Sequence, residues 1–177
     1  SMVACGDADG AVTGNTRRFG ASFEKIKQVV DVRKGEIMFG LNMIVHKGRT
    51  IFVGDTSVHE YPTSEQMAEI AISTARVVRL FGFDPKVAFV SHSTFGQPLT
   101  SRTKHIRSAV EILKEKKVDF EFDGDMQPDV ALNPEYEELY PFAKIVGKAN
   151  ILIMPGQHSA AISYKLMKTI GDTKVIG

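Results

Sequence analysis

The chain has 177 residues (19.5 kDa), and its 22 Lys and Arg stand against 21 Asp and Glu, a formal charge of +1. With 43% hydrophobic and 24% charged residues it has the composition of one folded domain, which excludes a disordered tail, a coiled coil or a collagen-like fibre and gives no bulk electrostatic case for a nucleic-acid partner. One cysteine, Cys5, excludes an intrachain disulfide and a Cys-rich zinc site and fits a reducing, cytoplasmic setting, while no apolar run reaches the ~18 residues of a spanning helix, so no membrane role is expected.

In chain order, Ser1 and Met2 resemble a protease scar, and residues 3–14 read as the end of a buried strand entering a glycine-rich loop, with Cys5 as a small buried residue. Apolar residues at Phe19, Phe23, Ile26, Val29 and Val30 predict a helix over 19–32, stopped at Gly35. Residues 36–46 and 49–54 are extended, and Lys47-Gly48 between them reads as a tight hairpin turn. Asp55, Thr56, Ser57, His59 and Glu60 form a polar cluster suited to capping or an interface. Thr63 and Gln66 then have capping-box spacing before a helix whose stripe is Met67, Ile70, Ala71, Thr74, Val77, Val78 and Phe81, with Gly82 as its stop. Residues 86–91 form a short buried strand, and 101–117 a helix with Ile106, Ala109, Val110 and Leu113 inward. A strand over 118–122, a helical turn near 126–132 and an irregular stretch over 133–148 follow. A strand over 150–154, broken at Pro155-Gly156, leads to a last helix over 157–171 with Ala161, Tyr164, Leu166, Met167 and Ile170 on its apolar side. Residues 172–177 read as a segment entering a further strand, and both ends are expected to be cuts in a longer protein. The alternation of strands and helices predicts an α/β domain with a largely parallel sheet.

Strand, polar loop and helix recur three times, and ligands of parallel sheets bind where such loops meet helix N-termini. The first loop carries Ser91, Ser93, Thr94, Gly96, Thr100 and Ser101, followed by Arg102, Lys104, His105 and Arg107 in the first two turns of the helix. Cations there oppose the macrodipole by roughly 0.3–1 kcal/mol each, so either a bound anion or carboxylates of a neighbouring element offset them, or they stand in solvent. The second loop holds Asp123, Asp125 and Asp129. Its spacing lacks the regular oxygens and distal Glu of a calcium loop, so a helix cap by Asp125 and a turn at Gly124 are expected there instead. The third, Pro155-Gly156-Gln157-His158-Ser159, places His158 at a helix start, where a neutral hydrogen-bonding imidazole fits and no nucleophile and acid are spaced to join it.

Four blocks in order, 52–70 (FVGDTSVHEYPTSEQMAEI), 91–96 (SHSTFG), 123–131 (DGDMQPDVA) and 140–164 (YPFAKIVGKANILIMPGQHSAAISY), resemble the phosphate acetyltransferase/butyryltransferase family over nearly the whole chain. The Pro-Gly-x-His-Ser-Ala form at 155–160 and the stretch 58–63 resemble the carboxyl-terminal module of the large bacterial NADP-dependent malic enzymes more than the transferases, which typically carry Pro-Asn-Leu-Glu/Asp at 155–158. The resemblance implies a three-layer α/β/α module of the isocitrate dehydrogenase-like kind spanning 1–177, with a mostly parallel sheet plus an antiparallel hairpin. It further implies a cleft for acetyl-CoA, a related acyl-CoA or phosphate. Ser93, Thr94, Gly96, Arg102 and Lys104 match the family region at that cleft, and Asp123, Gln127, His158 and Ser159 join them from the other two loops as candidate ligand contacts. The transferases' catalytic Ser-Arg pair and Asp fall beyond the family stretch that ends near Gly177, so no catalytic residue is expected here. The expected role is a non-catalytic, acetyl-CoA-responsive regulatory and oligomerisation module. Malate decarboxylation to pyruvate, NADP and Mg or Mn would belong to other domains of the parent protein; a fragment of an active phosphate acetyltransferase is the alternative.

Overall fold

The computed structural model describes residues 2–14 and 16–177. Ser1, half of the suspected scar, lies outside them. The chain divides into two compact units, Ser1–Glu36 and Ile37–Gly177.

Among its described residues the first unit contains one helix, α1 (Phe19–Lys27). It ends five residues before the predicted boundary, because the run after it is rich in Val29, Val30 and Val32, whose branched β-carbons restrict χ1 in a helix, and Gly35 turns the chain at φ 81°. Phe19 stacks on Phe23 at 5.4 Å, and the Lys27 ammonium, paired with Glu24 at 2.6 Å, lies over the Phe23 ring. The expectation of a buried Cys5 fails: residues 2–5 form turns rather than a strand, and Cys5 is exposed.

The second unit is built on a six-stranded sheet in the order β4-β3-β5-β2-β1-β6. Strands β1 (Leu41–His46) and β2 (Arg49–Gly54) form the predicted antiparallel hairpin, with Lys47 and Gly48 both at positive φ in its two-residue turn. β1 starts later than the sequence suggests. Gly40 gives its N–H to the Asp55 carboxylate at 2.7 Å and its carbonyl to the Thr56 N–H at 3.1 Å, so the preceding residues join the loop after β2 instead of the ladder. Helix α2 (Ser64–Leu80) carries the predicted capping box, Thr63 accepting from the Gln66 N–H and Gln66 reaching back to the Thr63 N–H. It stops at Gly82 in a Schellman arrangement, with the Gly82 and Phe83 N–H groups donating to Arg79 and Val78 carbonyls. Strand β3 (Lys86–Val90) leads into α3 (Ser101–Glu115), which has a second capping box, Thr100 with Thr103, that the sequence reading did not identify.

Strand β4 (Glu121–Met126) lies three to four residues beyond its expected place. Lys117 turns the chain at positive φ, and the parallel register then aligns Lys86 with Glu121 and Val90 with Met126. Asp123 and Asp125 therefore belong to a strand rather than to a loop. Helix α4 (Pro128–Leu132), a 3-10 turn at Pro134–Tyr136, strand β5 (Ile151–Ile153), helix α5 (Gln157–Ile170) and strand β6 (Lys174–Ile176) complete the unit. β6 pairs antiparallel with β1, while β2, β5, β3 and β4 are mutually parallel.

Alternating residues of the sheet feed two cores. Phe52, Val87, Phe89, Ile151 and Ile153 face α2 and α3, where Met67, Ile70, Ile106 and Leu113 are buried. Ile44, Val53, Ala88, Val90 and Leu152 face the other side, against Val130, Ile145, Val146 and Ala160. Two helical layers enclosing one sheet make this the expected three-layer α/β/α architecture. Helix α5 buries one residue fully, Ala160, and leaves Ile162, Leu166 and Ile170 exposed along its outer side.

Candidate functional site

The chain leaves β3 toward the α2/α3 face and leaves β5 toward the α5 face. At the carboxyl ends of these two adjacent strands the connections diverge and open a crevice, the place where ligands of parallel α/β sheets sit. A cleft of about 360 Å³ lies there. Val90, Ser91 and His92 form one wall, Met154 and Pro155 another, and Pro128 contributes from α4. Arg102 and Ile106 reach in from α3, Ser159 and Ser163 from successive turns of α5. Both α3 and α5 begin at this cleft, so free N–H groups of two helix starts border it beside one guanidinium and three hydroxyls, a combination suited to phosphate.

The first-loop residues divide by role. Ser93 is fully buried and donates its hydroxyl hydrogen to the buried carboxylate of Asp125, which also accepts the Gly96 N–H at 3.1 Å. Thr94 Oγ1 accepts from the Gln127 N–H at 3.2 Å, and the Gln127 amide donates to the His92 carbonyl at 3.1 Å. Ser93, Thr94, Gly96 and Gln127 thus lock the 91–97 loop onto β4, and within that loop Ser91 and His92 face the cleft. Asp125 corrects the reading of it as a helix cap: it is the buried acceptor of this lock, and the N-cap of α4 is Gln127, whose side chain makes no capping bond. Asp123 accepts from the Gly124 and Lys144 N–H groups.

Arg102 lines the cleft and packs over the Tyr61 ring at 5.0 Å, whereas Lys104, two residues on, projects toward a different hollow of about 770 Å³ along the flank of α2 and α3. Two positions turn a helix by about 200°, which separates them. Among the described residues Arg102, Lys104 and Arg107 form no ion pair with a carboxylate. In the third loop Ser159 lines the cleft and donates to the Gly156 carbonyl at 2.7 Å, and His158 stands mostly exposed beside Glu60 at 3.2 Å. Gly156 is required where it is, since a β-carbon there would lie 2.3 Å from the Glu60 carbonyl oxygen.

The polar cluster after β2 is a loop held by one carboxylate. Asp55, 2% exposed, accepts N–H groups of Gly40, Ser57, Val58 and His59 at 2.7–3.1 Å and faces His59 Nδ1 at 2.6 Å. This loop touches both helix starts, with the Gln157 N–H donating to the His59 carbonyl and His105 Nε2 donating to the Pro62 carbonyl. Glu65 and Tyr136, both outside the cleft, are displaced from their ordinary range. Glu65 is held low by its own backbone N–H and the Thr63 hydroxyl, and the Asp129 carboxylate pushes Tyr136 up. Among the described residues no three His, Cys, Asp or Glu side chains converge on a metal position, and no helix is long and apolar enough to cross a membrane.

His92 and Ser163 are polar cleft residues that sequence reasoning did not put forward; the signal for Ser163 was its position one turn beyond Ser159 on the same helix side. A mostly parallel sheet between two helical layers, with a crevice beyond the ends of its central strands, defines a class, a three-layer α/β domain with a strand-end cleft. Comparison narrows it: residues 1–177 match the family described as Phosphate acetyl/butaryl transferase, and the chain belongs to that family. It is 46% identical over 177 residues to an NADP-dependent malic enzyme of Rhizobium meliloti (strain 1021), covering 100% of this chain and 23% of that protein. To the phosphate acetyltransferase of Bacillus subtilis (strain 168) it is 30% identical over 178 residues, 99% of this chain and 55% of that protein. A phosphotransacetylase structure from Streptococcus pyogenes superposes with a TM-score of 0.91 at 28% identity, covering 99% of this chain and 55% of that one. The chain therefore spans about a quarter of the malic enzyme and about half of the transferases.

Proposed function

We propose that the chain is a non-catalytic regulatory and assembly module of a malic-enzyme-type protein, and that its cleft takes the phosphate groups of acetyl-CoA as an effector. The higher identity to a malic enzyme supports the parent, in which oxidative decarboxylation of malate to pyruvate, with NADP and Mg or Mn, would reside outside these 177 residues. One observation carries the ligand reading: Arg102 stands at a cleft bordered by two helix starts with no carboxylate paired to it among the described residues. Regulation then requires acetyl-CoA to bind two states of the parent with different affinity, because equal affinity shifts no population.

Calorimetric titration with acetyl-CoA, free coenzyme A and inorganic phosphate tests this. The expected result is saturable acetyl-CoA binding that Arg102→Glu weakens by at least ~10- to 100-fold, the worth of one charge-assisted phosphate contact, and that Lys104→Glu leaves within a few-fold. Equal loss in both variants, or none in either, would remove the assignment of the cleft. Formation of acetyl-CoA from acetyl phosphate by the longer parent would favour the transferase reading.

A further inference from the structure

Tyr61 is a large aromatic side chain left 65% exposed on a backbone that is fixed on both sides of it. Before it, the Asp55 carboxylate holds the N–H groups of Ser57, Val58 and His59, and the His59 carbonyl accepts from the Gln157 N–H at 3.0 Å. After it, the Pro62 carbonyl accepts from His105 Nε2 at 2.8 Å, Thr63 caps α2, and the Ser64 hydroxyl donates to the His105 carbonyl at 2.9 Å. The segment 55–64 is thereby tied to the starts of α2, α3 and α5, which gives Tyr61 a set place beside α3. Its hydroxyl forms no hydrogen bond among the described residues, and its ring meets the Arg102 guanidinium, whose central carbon lies 5.0 Å from the ring centroid.

Arg102 lines two hollows. One is the strand-end cleft; the other, of about 290 Å³, is lined also by Tyr61, Pro62, Thr63, Ser101 and His105. With no carboxylate partner among the described residues, the guanidinium has room in either, and a long side chain that roams between them must lose rotamer freedom when a ligand fixes it. A ring against the guanidinium narrows that choice before any ligand arrives. Contact with a π face uses no hydrogen-bond acceptor, so the N–H fork of the guanidinium stays free for a phosphate. We propose that Tyr61 is a positioning residue: its ring holds the Arg102 guanidinium at the wall of the cleft and so raises the affinity for a phosphate-bearing effector. This rests on the reading of the cleft given above and names the residue that prepares its cation.

The test joins a spectroscopic readout that needs no ligand to a binding cycle. In the ligand-free 177-residue chain the Arg102 Nε–H signal, assigned by its loss in Arg102→Gln, is expected to carry a ring-current shift that Tyr61→Leu removes and Tyr61→Phe keeps, while the other backbone amide signals show each variant folded. In calorimetric titration with acetyl-CoA, Tyr61→Leu should weaken binding about two- to five-fold, the worth of one exposed cation–π contact, and Tyr61→Phe should restore it. Placed on Arg102→Gln, the Tyr61→Leu change should have no further effect. An Arg102 signal that ignores Tyr61→Leu, or a Tyr61→Leu effect of equal size with and without Arg102, would overturn the positioning role. Failure of the cleft reading looks different: acetyl-CoA binding that is absent, or indifferent to Arg102→Gln, while the Arg102 signal still answers to Tyr61→Leu, overturns the effect on affinity and leaves the hold on the guanidinium standing.

Discussion

A buried carboxylate needs donors, and Asp125 shows how one residue can organise a loop. Its side chain has no contact with solvent and takes a hydroxyl and a backbone N–H from the loop that follows β3. Removing one donor leaves an oxygen that burial keeps from water, which costs about 1–3 kcal/mol. Ser93→Ala should therefore lower the unfolding free energy by about that amount in urea titration, and Asp125→Ala by more, because Ser93 and Gly96 then lose their acceptor together. Acetyl-CoA affinity, measured where each variant is fully folded, separates holding the loop from touching the ligand: an affinity unchanged in Ser93→Ala assigns Ser93 the first role alone. The sequence reading made Ser93 a candidate ligand contact and Asp125 a helix cap. Only the register of β4 on β3 shows that they meet.

At the scale of elements, the start of α2 joins a capping box to a charge effect. Thr63 Oγ1 accepts from the Gln66 N–H while its own hydroxyl hydrogen bonds the Glu65 carboxylate, which also takes its own backbone N–H. These bonds favour ionised Glu65 in the folded state, so its carboxyl titrates below the ordinary value of 4.5. The stability linked to this group is fully present above that value and is lost as pH falls through the lowered folded one. Glu65→Gln should flatten the fall of melting temperature in that acid window and leave its slope near neutrality unchanged. A melting curve with the same acid slope in both proteins would contradict the linkage.

Local chemistry made this element legible. Thr63, Gln66 and Gly82 state a start and a stop, and the Met67, Ile70, Ala71 and Val78 stripe states a buried side. The Lys47-Gly48 turn was legible for the same reason. The bounds of β4 were not: its sequence Glu-Phe-Asp-Gly-Asp-Met has the polar content of a loop, and its edge position on β3 leaves its first residues partly open to solvent. The helix over 19–32 was overextended because apolar spacing alone carries no penalty for consecutive β-branched residues. Of the candidate site, the loops were legible from order and composition. The division of Arg102 from Lys104 follows from helix geometry and could have been read from their spacing; the retreat of Ser93 and Gly96 from the cleft depends on a tertiary partner.

Over the whole molecule, protection should be graded across the sheet, and the grading locates the cleft on its firmest part. β5 is paired on both sides by parallel strands and covered on both faces by packed cores, and Ile151 and Ile153 are fully buried. β6 is a three-residue edge strand that pairs on one side and exposes Lys174 and Ile176. Opening free energies rise from near zero at exposed edges to the global value in the core, so amide hydrogen exchange should be slowest at Ile151, Leu152, Ile153, Val87 and Phe89 and fastest within the sheet at Val175 and Ile176. The cleft lies just beyond β5 and β3, where slow backbone meets loops that the Ser93–Asp125 lock and the Asp55 turn hold in place. Acetyl-CoA seated there should add protection to amides of Ser91, His92 and the first turn of α5 while leaving those of β6 unchanged. Protection that rises first in β6 or over 37–46 would place the ligand away from the strand ends and against the crevice as its site.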